Sequence, residues 1–252
     1  MVSLIGRTLV LLALGACAAG GVAGLVAGKT RSRQAWKFTI AMGLAFAVLM
    51  TLATGVMEYA LIVHDFSVSY VAQVGSLSTP LTITMVSLWS SLEGSILFWG
   101  FVLAAATGVF AWSMRNRDPE HGSYALGVLL LIGAFFTFLA AGVANPFLPT
   151  PGMVPLDGPG PNALLQNHLL MIIHPPALYM GYVTMAVPFS MAASALLAGR
   201  LEANWMRSLR RWTLFSWSWL SLGLLLGGWW SYEVLGWGGY WAWDPVENAA
   251  FM

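Results

Sequence analysis

Apolar residues run along this chain in long, nearly uninterrupted blocks, with the polar residues gathered between them. Six charge-poor stretches cover 8–28, 38–63, 94–114, 124–147, 166–199 and 212–232. A helix needs about 20 residues to cross roughly 30 Å of hydrocarbon, and each stretch meets that length. None shows the period-two alternation of a membrane barrel strand. In lipid, only a helix or a closed barrel satisfies its own backbone N–H and C=O groups. The pattern therefore predicts an all-α fold: a polytopic integral membrane bundle of about six transmembrane helices.

The connections give the bundle a direction. Lys29, Arg31, Arg33 and Lys37 lie between the first and second stretches, and Arg115 and Arg117 between the third and fourth. Arg200, Arg207, Arg210 and Arg211 lie between the fifth and sixth, whereas 64–93 and 145–165 contain no Lys or Arg, and within the latter NPFLPTPGMVPLDGPGPN (145–162) is rich enough in Pro and Gly to be expected as an irregular surface loop. The basic clusters thus fall on one side, which the positive-inside rule makes cytoplasmic. The N-terminus and the segment after Trp230 are expected to face outward. Arg7 is the exception, close enough to the N-terminus to snorkel.

Composition narrows the function. The 252 residues are 58% hydrophobic and 8% charged, against roughly 25% charged in an ordinary soluble domain. A soluble enzyme, a disordered chain and a nucleic-acid binder are excluded, so the surroundings are membrane lipid and no nucleic acid is expected. The single cysteine, Cys17, excludes an internal disulfide framework and a thiolate metal cluster. Its setting, LLALGACAAG, loosely resembles a lipoprotein signal, but the apolar run continues to Gly28 and favours a small helix residue.

In so apolar a chain, each ionisable residue near a span is a functional candidate. On the outward side these are Glu93, His174, Glu233 and the pair Asp244 and Glu247, with His64 and His168 weaker. His121, in RNRDPEHG, is cytoplasmic and solvated. Glu93 either relays protons or holds a loop, or else sits solvated at a helix start capped by Ser90 or Ser91. His174 precedes Pro175 and Pro176, so the backbone is expected to break or kink there and present the imidazole. Close in topology, GGWWSYEVLGWGGYWAWDPVEN runs from Gly227 to Asn248 with Trp229, Trp230, Trp237, Trp241 and Trp243, interleaved with glycines such as Gly238. An interfacial aromatic belt explains some of these rings, but not their density. Indole faces and close-approaching glycines suit a wide planar ligand. A porphyrin fits, its iron taking His174 as an axial ligand. The outer loops offer no cation for its propionates, so Asp244 and Glu247 are expected to cap helices or accept from Trp N–H groups. Asp244 before Pro245 reads as an N-cap with proline at the first helical position.

These residues carry a family likeness. The block from Trp237 to Asp244, WGGYWAWD, followed by PVENAAFM, resembles the WWD signature of haem-handling membrane proteins. HDFSVSYVAQ (64–73), LWSSLEGSILFW (88–99), ANPF (144–147) and LLQNHLLMIIHPPALYMGYV (164–183) narrow the resemblance to the CcmF family of cytochrome c-type biogenesis proteins. The resemblance implies haem held against the WWD surface, with His174 as the first of two flanking histidines. Trp229, Trp230, Trp237, Gly238, Trp241, Trp243 and Asp244 would line that site, and no residue would be catalytic in its own right. It further implies delivery of haem by the chaperone CcmE, joining to the CXXCH thiols of apocytochrome c, and other cytochrome c maturation subunits as partners. The expected location is the inner membrane of a bacterium, with the N-terminus and Trp-rich segment periplasmic; the mitochondrial inner membrane is the alternative. Family members are far longer, so the likeness implies an N-terminal piece, split or truncated, inactive alone as a haem lyase. The second flanking histidine and the haem b ligands would lie beyond Met252. On this reading 1–226 form the bundle and 227–252 the extracytoplasmic haem-handling segment.

Three other readings stand beside it. The aromatic surface could anchor partner proteins without touching haem, or the chain could be the related CcsA-type haem exporter or synthase. A secondary transporter would use Glu93 and the fifth span, but no inverted repeat is visible.

Overall fold

The computed structural model describes residues 1–117, 119, 122–163, 168–199, 206–236 and 238–251. Trp237 and His121 lie outside the described residues. Ten α-helices occur among those described. They are α1 (Val2–Thr30), α2 (Arg33–Ile62), α3 (Ser69–Val74), α4 (Leu81–Val86) and α5 (Leu92–Met114). There follow α6 (Ser123–Ala141), α7 (Leu170–Thr184), α8 (Ala186–Ala198), α9 (Met206–Val234) and α10 (Pro245–Phe251). No strand forms among the described residues, only an isolated bridge between Val68 and Pro149. The all-α membrane bundle is thus the observed fold.

Five segments are long and apolar enough to cross a membrane: α1, α2, α5, α6 and the run Leu170–Ala198 that joins α7 to α8. The sixth expected span forms as the 29-residue helix α9. It falls outside the apolar five because Trp, Ser and Gly replace much of its aliphatic content. The expectation of about six spans is therefore met by five apolar crossings and one mixed helix. Gly227 lies inside α9, which continues to Val234 before the chain becomes irregular at Leu235.

The bundle is knit by close backbone approach. The helix α1 packs on α2 and α6, α2 on α5, α6 on α8, and α9 on α7. A β-carbon at Gly24 of α1 would lie 2.6 Å from the Cα of Gly127 in α6, so only glycine permits that crossing. Small residues at such positions are how membrane helices gain contact area without a hydrophobic drive between them. Phe46, Met50, Leu97, Phe110 and Leu129 fill the buried core. Where the basic connections lie, Trp36 donates its indole N–H to the Arg117 carbonyl at 2.9 Å, tying the start of α2 to the end of α5.

At the opposite end the Pro/Gly-rich loop is irregular, as expected, and firmly seated. Phe147 is fully buried beneath it. Asn145 holds the turn, accepting from the Phe147 N–H at 2.9 Å and donating to the Ala141 carbonyl at 3.1 Å. Asp157 accepts from the Leu77 and Gly158 N–H groups, both at 2.8 Å. These contacts fasten the loop to the 64–77 connection.

Candidate functional site

The site is built where α7 meets α9. A β-carbon at Gly181 would fall 2.1 Å from the Leu220 backbone nitrogen, and one at Gly223 would fall 2.7 Å from the Leu178 Cα. The two helices therefore touch backbone to backbone. Thr184 and Ser216 pair their hydroxyls at 2.7 Å within this seam, and both are buried. Interhelical hydroxyl bonds of this kind fix register where water cannot compete.

About two turns along α7 from Gly181, His174 rests on the same seam. Its Nδ1 lies 2.8 Å from the Gly223 carbonyl oxygen. A carbonyl can only accept, so Nδ1 carries the proton and Nε2 keeps its lone pair. Nε2 has no hydrogen-bond partner among the described residues. This is the orientation in which a backbone carbonyl steers a metal-binding imidazole. Of the break or kink expected at His174, no break forms: α7 runs from Leu170 to Thr184 with Pro175 and Pro176 inside it. Both sit near its start, just after a tight turn in which Met171 and Ile172 bond to His168 and Leu169. Proline there forfeits two hydrogen bonds but keeps a helical φ. Nor is the imidazole simply displayed. It is half-buried, packed against Gly227 of α9.

Beyond Val234 the chain turns back over the end of α9. Gly236 and Gly238 adopt φ of 68° and 72°, a region glycine enters freely. The returning strand of chain passes close to Gly228, where an added β-carbon would meet the Tyr240 carbonyl at 3.1 Å. Tyr240 stacks on Tyr232 with ring centroids 4.4 Å apart and 5° between planes. Ser231 donates to the Gly239 carbonyl at 3.2 Å. His174 thus abuts Gly227 while the Trp-rich segment crosses the adjacent residue, Gly228.

The segment then ends in a capped helix. Asp244 accepts from the Glu247 N–H at 2.8 Å, and Glu247 in turn accepts from the Ala242 N–H at 2.7 Å. With Pro245 as the first residue of α10, this is the N-cap read from the sequence. Trp243 is held at φ 60°, a left-handed conformation that is costly for a bulky side chain. Asn248 steadies it by donating to the Trp243 carbonyl at 3.1 Å. Its ring is 77% exposed. Trp241 and Phe251 line a cleft with it of about 180 Å³. A larger cleft of about 380 Å³ lies between α10 and α7, walled by Trp99, Tyr179 and Tyr182.

Two groups that the sequence left separate are joined here. His168 Nε2 lies 2.6 Å from Glu233 Oε2, and the indole N–H of Trp229 donates to the other carboxylate oxygen. His168 Nδ1 accepts from the Leu170 N–H at 3.2 Å, so Nε2 bears the donated proton. Glu233 thereby links the exposed Trp229 indole of α9 to His168, just before the start of α7. Trp230 is half-buried, and its indole N–H has no partner among the described residues.

The family profile described as "Cytochrome C assembly protein" matches residues 89–252, well over half of the chain and all of this site. The chain belongs to the cytochrome c assembly protein family. Within it, the likeness is to CcmF. The chain is 43% identical over 209 residues to the cytochrome c-type biogenesis protein CcmF of Pseudomonas fluorescens, 82% of this chain and 31% of that protein. CcmF of Escherichia coli (strain K12) is 38% identical over 218 residues, 86% of this chain and 32% of the relative. A solved structure titled "Cytochrome c Heme Lyase CcmF" superposes with a TM-score of 0.87 and 38% identity, covering 100% of this chain and 40% of that one. The chain spans about a third of the length of these curated relatives.

Against this family background, the expected site residues divide into three groups. His174, Trp229, Trp230, Gly238, Trp241, Trp243 and Asp244 gather at one end of α7, α9 and α10, while Trp237 lies outside the described residues. His64 and Glu93 stand apart from that group. His64 Nε2 lies 3.1 Å from the Ser76 carbonyl in the connection after α2. Glu93 lies in the first turn of α5, where a carboxylate favours the helix dipole. Ser91 occupies the N-cap position but makes no side-chain cap bond, and Ser90 bonds the Ser87 carbonyl instead, so neither caps α5 as expected. Sequence reasoning missed Gly223, the contact of Gly227 with His174, and Glu58. The two glycines had a signal in their spacing of four among aliphatic residues. Glu58 lies inside α2 with Oε2 buried and unpartnered among the described residues, and should have stood with the other intramembrane ionisable groups.

Proposed function

We propose that this chain acts in cytochrome c maturation by holding haem at the outward membrane face for attachment to the CXXCH thiols of apocytochrome c. The observation that carries the reading is His174. Its Nδ1 proton is committed to the Gly223 carbonyl and its Nε2 lone pair has no partner among the described residues, beside Gly227 and one residue from where the Trp-rich segment folds back over α9. That donor suits haem iron. Trp229, Trp230, Trp237, Trp241 and Trp243 supply flat apolar faces, with Gly238 taking the left-handed turn that brings the chain back over α9. Asp244 keeps the shelf in shape as the cap of α10, and the Glu233–His168 pair orients Trp229.

Bound haem supplies an iron for axial ligation and vinyl groups for thioether formation. The protein's share is to fix the plane of the ring, hold the imidazole, and shield one face with indoles, so that proximity does most of the work. On this proposal 1–226 form the bundle and 227–252 the haem-handling segment, in the bacterial inner membrane. CcmE delivers haem, and further maturation subunits complete the lyase, in which this chain is one component.

The experiment is haem titration of the detergent-solubilised chain, wild type against His174→Ala, read by Soret absorbance and by spectral position. Wild type should load about one haem per chain, and the variant should lose most of it while keeping its helical circular dichroism. Equal loading and an unchanged spectrum would remove His174 as the ligand. Absence of any Soret band, even with CcmE supplying haem, would instead favour a scaffold that uses the aromatic surface for partner proteins.

A further inference from the structure

Far from the haem-handling end, an apolar groove of about 560 Å³ opens between α5, α7 and α9. Phe101, Ala105 and Val109 of α5 line one wall, with Met180 of α7 and Phe215 of α9 opposite, and Arg211 is at its rim. From Phe101 to Val109 the groove runs about 12 Å along α5, at 1.5 Å per residue. Arg211 is exposed, as are Arg207 one turn before it and Arg210 beside it. No carboxylate pairs with any of the three among the described residues.

We propose that this groove binds one anionic phospholipid, an acyl chain lying along α5 and the phosphate on Arg211. Three observations converge. The walls are hydrocarbon-like and aromatic, suited to a lipid tail. The polar end lies beside Trp212, and Trp and Arg together mark the level where lipid headgroups begin. The start of α9 is densely basic, and basic pockets between membrane helices attract anionic headgroups. A further apolar helix laid into the groove would cover a guanidinium and leave it without a counter-charge, which lipid surroundings penalise. A phosphodiester satisfies the cation and the apolar walls at once. The lipid would act as a removable wedge between α5 and α9 on the side away from haem, and the inference does not depend on haem binding.

The test is native mass spectrometry of the chain released from nanodiscs of either phosphatidylglycerol or phosphatidylcholine. Wild type should retain one phosphatidylglycerol per chain, with phosphatidylcholine retained less. Arg211→Gln should lower phosphatidylglycerol retention about fivefold and leave phosphatidylcholine unchanged, whereas Arg211→Lys should preserve the preference. Ala105→Trp, at an exposed groove position, should expel both lipids; Ala105→Leu, a smaller filler, should weaken both if the tryptophan variant fails to fold. Equal retention of the two lipids by wild type, retention unaffected by filling the groove, or a dimer mass that Ala105→Trp dissociates without any lipid would each overturn the proposal.

Discussion

A methyl group added at Gly227 would lie 2.5 Å from Cε1 of His174, well inside ordinary contact. The imidazole is wedged by the Gly223 carbonyl on one side, so it would have to turn to make room. Gly227→Ala should therefore lower haem loading nearly as far as His174→Ala, though the histidine is intact. Overpacking of this kind costs about 1–3 kcal/mol, and the Thr184–Ser216 bond keeps α7 and α9 in register. Gly228→Ala is the control, because its nearest atom is the Tyr240 carbonyl at 3.1 Å and not the imidazole. Soret absorbance per chain together with a thermal melt separates the two effects. A Gly227→Ala protein that melts lower yet loads haem fully would show that the ring position does not matter. His174 was legible in the sequence because a lone imidazole in an apolar run demands a reason. The Gly223 carbonyl was not, since every residue carries one and only the crossing of two helices selects which is used.

At the scale of elements, local signals survived and long-range ones did not. The Asp-Pro-Val-Glu run announced the start of α10 because an N-cap and its first turn are chemically self-contained. The double proline misled, because its cost depends on how far into a helix it falls, which residues alone do not say. The loop over 145–162 read correctly as irregular from its Pro and Gly content. Its fastening did not, because the Asp157–Leu77 contact spans 80 residues of chain. That contact has a pH signature. The Leu77 N–H foremost, then the Gly158 N–H, the Ser76 hydroxyl and the charge of His64, hold the Asp157 carboxyl below the ordinary carboxylate range against the opposing effect of burial. A group lowered on folding contributes in full above its unfolded pKa, about 3.9 for Asp, and loses that contribution as pH falls through the lower folded value. Pepsin nicking within 148–160 should thus stay slow near about pH 5 and quicken toward about pH 3. Asp157→Asn should nick faster at both values and lack the pH step. A wild-type protein cut equally at both values would show that the carboxylate does not hold the loop.

For the molecule as a whole, the antiparallel order of the helices sorts chemistry to its two ends. The end of α1, the start of α2, the end of α5 and the start of α9 share one end and hold Lys29, Arg31, Arg33, Arg115, Arg117, Arg207, Arg210 and Arg211; the 64–91 and 145–162 connections share the other, with His168, Glu233 and the Trp-rich segment. Charge bias between loops is the signal from which membrane orientation is read, since cytoplasmic loops retain Lys and Arg. It was legible without a structure because it depends on composition and alternation, not on packing. The orientation can be tested with single cysteines. Cys17 is fully buried and should stay silent to a bulky reagent. Met153→Cys stands on the 145–162 loop at a position 95% exposed, and Asn116→Cys lies at the opposite end in the turn after α5. In cells with a permeabilised outer membrane, an impermeant maleimide should label Met153→Cys and spare Asn116→Cys until the inner membrane is broken. The reverse result would put the imidazole of His174 and the indoles around it on the cytoplasmic side, away from an exported apocytochrome. The phospholipid groove would then lie in the outer leaflet, where its preference for an anionic headgroup could still be measured, so the two proposals stand or fall separately.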